Sequence, residues 1–224
     1  LPPSLLGWLG PVAVLAALVL MVGGVLLAGG SEPGTADARI SALVDGVGPP
    51  WRQVALATDF LGEPVGAAAL VVAVVTGCLL LLPRRPRAAV LVVASVGIAV
   101  GTTTLLKSLV GRTIHGDGNL SYPSGHTAFL TALALAVALL AAGRLGLGRT
   151  VGTSLVLAAA LLAGAAMGWA QVALGAHYPT DVLGGWCTAL AVTPATAWLV
   201  DRTADRLDGR RTDRTVDAGR RERR

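Results

Sequence analysis

Two short segments carry side chains able to move a proton or bind an anion: Ser121-Tyr122-Pro123-Ser124-Gly125-His126 and Gly175-Ala176-His177-Tyr178-Pro179-Thr180-Asp181. The three histidines of the chain, His115, His126 and His177, all fall in or beside them, each at the edge of a long apolar run. Imidazole is the side chain that gains or loses charge most readily near neutral pH, so this placement points to histidine chemistry at one face of a membrane. His177 and Asp181 are four apart. If Pro179 opens a helix, the carboxylate can accept a hydrogen bond from one ring nitrogen and leave the other free to attack. The plain alternative is a histidine capping a loop beside an unrelated aspartate. Ser124-Gly125 precedes another apolar run, so its N–H groups and the helix N-terminus favour a phosphate, with His126 at the rim or serving only as a helix cap. Lys107 ends a third apolar run, and Arg112 follows five residues later. Together they suit an anion with several oxygens, the alternative being a lysine that merely snorkels. His115 and Tyr122 lie in the same polar segment and are open either to substrate contact or to plain loop roles.

The elements that must position these groups are membrane helices. Of 224 residues, 54% are apolar and 14% charged, which excludes an ordinary soluble domain. Six runs are long enough to cross a bilayer, which takes about 20 residues: approximately Pro11–Gly30, Val65–Leu82, Ala88–Leu106, His126–Ala142, Val151–Leu174 and Val182–Val200. The expected fold class is therefore all-α, a polytopic six-transmembrane-helix bundle. The first run reads as a retained helix rather than a signal peptide, since no basic stretch precedes it. An N-terminus in the cytoplasm puts 14 of the 18 basic residues on the cytoplasmic side, including Arg84, Arg85, Arg87, Arg144, Arg149 and nine arginines from Arg202 to Arg224. The positive-inside tendency thus predicts both termini in the cytoplasm and the histidine segments outside. The net charge of +5 is explained by this asymmetry, not by a nucleic-acid surface.

Residues 1–200 form one six-helix domain in this reading. Residues 201–224 form an Arg-rich tail, disordered or a frayed helix, that meets anionic lipid heads. The segment Ser31–Glu63 is predicted to hold a short amphipathic helix with Ile40, Leu43, Val44 and Val47, broken at Pro49-Pro50. It serves either as part of a lid or as a connector. Cys78 and Cys187 sit inside apolar runs and read as small packed residues. Heavy use of Ala, Val, Leu, Gly and Arg suggests a high-GC bacterial genome.

The motifs resemble those of the type 2 phosphatidic acid phosphatases. That family's signature has three parts: Lys-x6-Arg-Pro, Pro-Ser-Gly-His, and Ser-Arg-x5-His-x3-Asp. The second is intact as Pro123-Ser124-Gly125-His126, and the third keeps His177-x3-Asp181. Lys107 fits the start of the first part, and Gly111-Arg112 matches a frequent accompaniment within it. The family's arginines fall on Ile114 and Gln171, and its Ser falls on Ala170. Gln171 can donate a hydrogen bond but carries no charge.

The resemblance implies a metal- and cofactor-independent lipid-phosphate phosphatase of the bacterial plasma membrane, its site facing the extracytoplasmic side. His177 would attack phosphorus, Asp181 orient it, and His126 act as acid and then base. Lys107, Arg112, Ser124 and Gly125 would hold the phosphoryl oxygens, with His115, Tyr122 and Gln171 as further substrate contacts. The substrate would be a membrane lipid phosphate, a polyprenyl phosphate or diphosphate before a phosphatidyl phosphate. The two missing arginines leave room for a relative that binds or moves such a lipid without hydrolysis, or for a phosphotransferase.

Overall fold

The computed structural model describes residues 3–44, 47–82, 85–116 and 118–221. Arg84, Arg223 and Arg224, counted above with the cytoplasmic arginines, lie outside the described residues. The described residues form eight helices: α1 (Pro3–Leu27), α2 (Thr35–Val44), α3 (Pro49–Phe60), α4 (Pro64–Leu81), α5 (Arg85–Val110), α6 (Gly125–Arg144), α7 (Arg149–Ala173) and α8 (Pro179–Arg221). Six are long and apolar enough to cross a membrane, over Gly7–Leu27, Pro64–Leu81, Pro86–Val110, Gly125–Arg144, Arg149–Ala173 and Pro179–Leu207. Their number and order match the sequence reading. In hydrocarbon every backbone N–H and C=O must be satisfied within the segment, so each apolar run stays helical, even through Pro11 of α1 and Pro194 of α8. The stretch read as an Arg-rich tail runs on as the end of α8.

The 31–63 segment differs from expectation. It holds two helices, because Pro49-Pro50 opens α3 rather than only breaking α2. Proline is tolerated in a first turn, where the N–H has no intrahelical acceptor. In α2 the polarity is inverted: Ile40 and Leu43 are exposed while Asp37 is 1% exposed. An acid so thoroughly removed from solvent needs a partner, and it has one at the site described below.

The core centres on α6 and α8. One cluster joins α1, α5, α6, α7 and α8 through Leu20, Leu91, Leu135, Val156 and Leu190, with Cys187 among them. A second joins α4, α5 and α6 through Cys78, Val92, Phe129 and Leu133. Val25, Leu26, Leu80 and Leu162 point outward, as side chains covered by lipid would. Lipid tails are as apolar as leucine, so membrane helices associate through close packing and interhelical hydrogen bonds. The Trp186 indole donates to the Ala160 carbonyl at 2.9 Å. A Cβ on Gly185 would stand 2.3 Å from the Ser124 carbonyl oxygen. That contact brings the start of α6, with its histidine, against the first turns of α8.

Gly185→Ala should therefore force α6 and α8 apart and lower stability by roughly 1–3 kcal/mol. Gly101→Ala is the control: a Cβ there meets nothing within 4 Å. It should be neutral or stabilising by up to about 1 kcal/mol. Thermal melts of the two variants in detergent check the contrast.

Candidate active site

The histidine segments are the two helix starts that Gly185 lets approach. Ser124 is the N-cap of α6: its Oγ accepts from the Thr127 N–H at 3.4 Å and the Thr127 hydroxyl at 3.1 Å. The Ser124 N–H donates to the Asp181 carbonyl at 2.9 Å, joining the two motifs directly. Helix α7 ends in a Schellman turn at Gly175 (φ 69°). There the Gln171 carbonyl accepts from the Ala176 N–H at 2.9 Å and the Gly175 N–H bonds Val172 at 3.0 Å. This turn delivers His177 to the start of α8. Asp181, three residues past Tyr178, reaches back to accept the Tyr178 N–H at 3.0 Å, the acidic half of a capping box.

Arg112 lies between two carboxylates. Its Nη1 donates to Asp181 Oδ1 at 2.6 Å and to the Thr180 hydroxyl at 2.6 Å, and its Nη2 donates to Asp37 Oδ2 at 2.8 Å. Arg112 and Asp37 are 1% exposed and Asp181 0%. Tyr178 covers the guanidinium, 4.6 Å from ring centroid to Cζ, as a cation–π contact. Asp37 also accepts the Thr180 N–H at 2.9 Å, capping α8 from 143 residues away. Burial pushes the Asp37 carboxyl up. The hydrogen bonds from Arg112 and Thr180, with the Arg112 charge, outweigh that and hold it below its ordinary 3.8.

His177 is 8% exposed. Its Nδ1 faces Asp181 Oδ2 at 3.6 Å, an ion-pair distance longer than a hydrogen bond, and makes none. Burial holds the His177 pKa below 6.5; Asp181 opposes this, while the charges of Lys107 and His126 add to it. The ring is thus kept neutral, the form that can attack. It lines a cavity of about 470 Å³ with Ile114, His115, Gly175 and Arg52. Arg52 was not among the expected site residues. It comes from α3, whose place over the end of α7 could not be read from spacing.

His126 opens the first turn of α6 and lies beneath the turn between α3 and α4. A Cβ on Gly62 would stand 2.2 Å from His126 Cδ2, so only glycine allows that turn to sit on the imidazole. His126 Nε2 is buried without a hydrogen bond, 3.7 Å from Asp59 Oδ1 and 3.6 Å from Glu63 Oε1. Both acids were missed by the sequence reading. The ligand atoms of Asp59, Glu63 and His126 all fall within 4.8 Å of one another.

Several expected substrate contacts are otherwise engaged. Arg112, expected to hold phosphate, is ion-paired with Asp37 and Asp181. The Tyr122 hydroxyl donates to the Leu20 carbonyl at 2.8 Å, and burial pushes its pKa up to about 12; it is a packing residue between α1 and α8. The Gln171 amide donates to Asp59. His115 sits within 2.6 Å of the Gly175 carbonyl through Nε2, on the cavity wall. Ser124 is fully buried as a cap. Lys107 occupies the last turn of α5, half-buried, within electrostatic reach of Asp181 and His177.

Removing Arg112 would leave Asp37 and Asp181 facing each other without a cation. Arg112→Met should cost about 3–5 kcal/mol, the usual penalty for orphaning a buried charge. The pH dependence has a fixed sign. Because the Asp37 carboxyl sits below 3.8 in the folded protein, its contribution is complete above that value and is lost as pH falls through the folded pKa. Asp37→Asn should flatten that acid limb in melts recorded from pH 3 to 6.

No curated protein matches the chain. Among solved structures, the chain is similar to the first transmembrane PAP2 type phosphatidylglycerolphosphate phosphatase from Bacillus subtilis, with a TM-score of 0.66 at 20% identity. The match covers 87% of this chain and 96% of that one, which establishes a shared fold. Residues 87–205, from the start of α5 well into α8, match the PAP2 superfamily. With its six spans and both histidine motifs at one end of the bundle, the chain is a multi-pass membrane protein that belongs to the PAP2 superfamily.

Proposed function

We propose that the protein is a lipid-phosphate phosphatase working through a phosphohistidine. The observation that carries this is the near-buried His177, its Nδ1 turned to Asp181 and its ring on a cavity that also holds Arg52 and His115. With Nδ1 facing the carboxylate, Nε2 is the attacking atom. It forms a bond to phosphorus as the phosphorus–oxygen bond to the lipid breaks. His126 gives its proton to the departing oxygen, then takes a proton from the water that releases phosphate from His177 and restores both rings. Asp181 stabilises the charge that develops on His177. Lys107, Arg52 and the amides at the start of α6 receive the phosphoryl oxygens; Arg112 acts behind Asp181, holding it in place.

The substrate is a membrane lipid bearing a phosphomonoester or diphosphate, a polyprenyl phosphate before a phosphatidyl phosphate. It reaches the site from the bilayer, since the site lies at the ends of membrane helices. Arg87, Arg144, Arg149 and Arg202 lie at the other end of the bundle, which favours an extracytoplasmic site. The absence of arginine at 114 and 171, with Arg112 held in ion pairs, favours a second reading as a non-hydrolytic lipid-phosphate binder.

One assay separates the two. Purified protein should release phosphate from at least one of a panel of lipid phosphates, and His177→Ala should lower release by at least about a thousandfold. Binding without release by the wild type would favour the second reading. Activity that survives in His177→Ala would remove His177 as nucleophile. Arg52→Gln should weaken kcat/KM by roughly tenfold, with Arg52→Lys recovering part of the loss; an unchanged value would show that Arg52 does not touch the phosphoryl group.

A further inference from the structure

The helix α3 and the turn after it lay charges of opposite sign over the site. Arg52 and Asp59 are seven residues apart, two turns, so they share one face of α3. Arg52 lies on the cavity with His115 and His177. Asp59, one fifth to one quarter exposed, lies on His126 together with the half-exposed Glu63. Asp59 is fixed there by Gln171, from the position where relatives of the family carry arginine. Gly62 holds the turn against the His126 ring.

We infer that Asp59 and Glu63 are specificity-determining residues that select an uncharged leaving group, so that the enzyme prefers lipid phosphomonoesters to lipid diphosphates. The inference rests on the phosphatase reading and on His126 as the acid. His126 Nε2 is the unpartnered atom, 3.7 Å from Asp59 Oδ1 and 3.6 Å from Glu63 Oε1. A leaving oxygen at hydrogen-bond distance from Nε2 lies within roughly 7 Å of both. In a phosphomonoester the electrons of the broken phosphorus–oxygen bond stay on the lipid oxygen, which takes the His126 proton and departs as a neutral alcohol. In a diphosphate the departing oxygen belongs to a second phosphate group. That group remains anionic after taking the proton and stays beside two carboxylates. Like charges at such range in a partly desolvated site repel appreciably. An arginine at 171 would ease this repulsion; Gln171 cannot.

The test uses the full chain in detergent with EDTA present. Phosphate release is measured from the monophosphate and the diphosphate of one isoprenoid alcohol, for wild type, Glu63→Gln and Asp59→Asn/Glu63→Gln, each with its melting temperature. The wild type should favour the monophosphate in kcat/KM, and the double variant should move that ratio toward the diphosphate by roughly tenfold. If the double variant does not fold, Glu63→Gln, changed at a half-exposed side chain, should still move the ratio in the same direction. A wild type that uses the diphosphate equally well, or a ratio unmoved in folded variants, would overturn the inference and leave the phosphatase reading standing. Diphosphate hydrolysis that appears in the wild type only with added Mg²⁺, and is lost in the double variant, would also overturn it by showing the pair to be a cation site. Release from neither lipid, nor from any other lipid phosphate, would overturn the phosphatase reading and this inference with it.

Discussion

The histidine end of the molecule depends on one guanidinium held between two carboxylates. Asp181 has three calls on it: the Tyr178 N–H, the Arg112 Nη1 and the His177 ring. Without Arg112, the carboxylate that faces His177 would keep only the Tyr178 N–H to hold it. The second carboxylate, Asp37, anchors the guanidinium from the far side and also caps α8 through Thr180. Charge in this setting is expensive unless every partner is in place, so the arrangement is stiff where it is complete. Stiffness there sets the direction in which the Nδ1 side of His177 faces, and with it the side from which the ring can be approached.

Above this rigid floor lies a roof built from the 31–63 segment. The helix α3 carries a cation to one side of the site and an anion to the other, and the α3–α4 turn rests on the second histidine. Gln171 is central to this division. It carries no charge and bonds Asp59, holding that acid over the end of α7.

What was legible in the sequence was whatever is local. Apolar runs located six spans to within four residues, save the end of the last, which runs on to Leu207, and Pro-Ser-Gly-His and His-x3-Asp read as helix starts because capping geometry is set within four residues. What was hidden is whatever crosses the chain. Asp37, Arg52, Asp59 and Glu63 sit in ordinary polar stretches, and nothing in their neighbours says that α2 and α3 fold over α7 and α8. Arg112 shows the limit most plainly. Its residue type and its distance from Lys107 suited a phosphate clamp, but a buried acid 75 residues upstream claims it. Tyr122 bonds the Leu20 carbonyl and Ser124 caps α6; the first of these contacts spans 102 residues and leaves no local trace.

The Asp37–Thr180 contact also bears on how the protein is made. Chains enter a membrane from their N-terminus, and α2 emerges long before α8. Until the sixth span is inserted, Asp37 and Arg112 have neither Thr180 nor Asp181 to meet, and the amides at the start of α6 lack the Asp181 carbonyl. The last span to arrive therefore closes the site. A half-synthesised chain thus carries His126 at the start of α6 while Asp37 and Arg112 still lack their partners on α8.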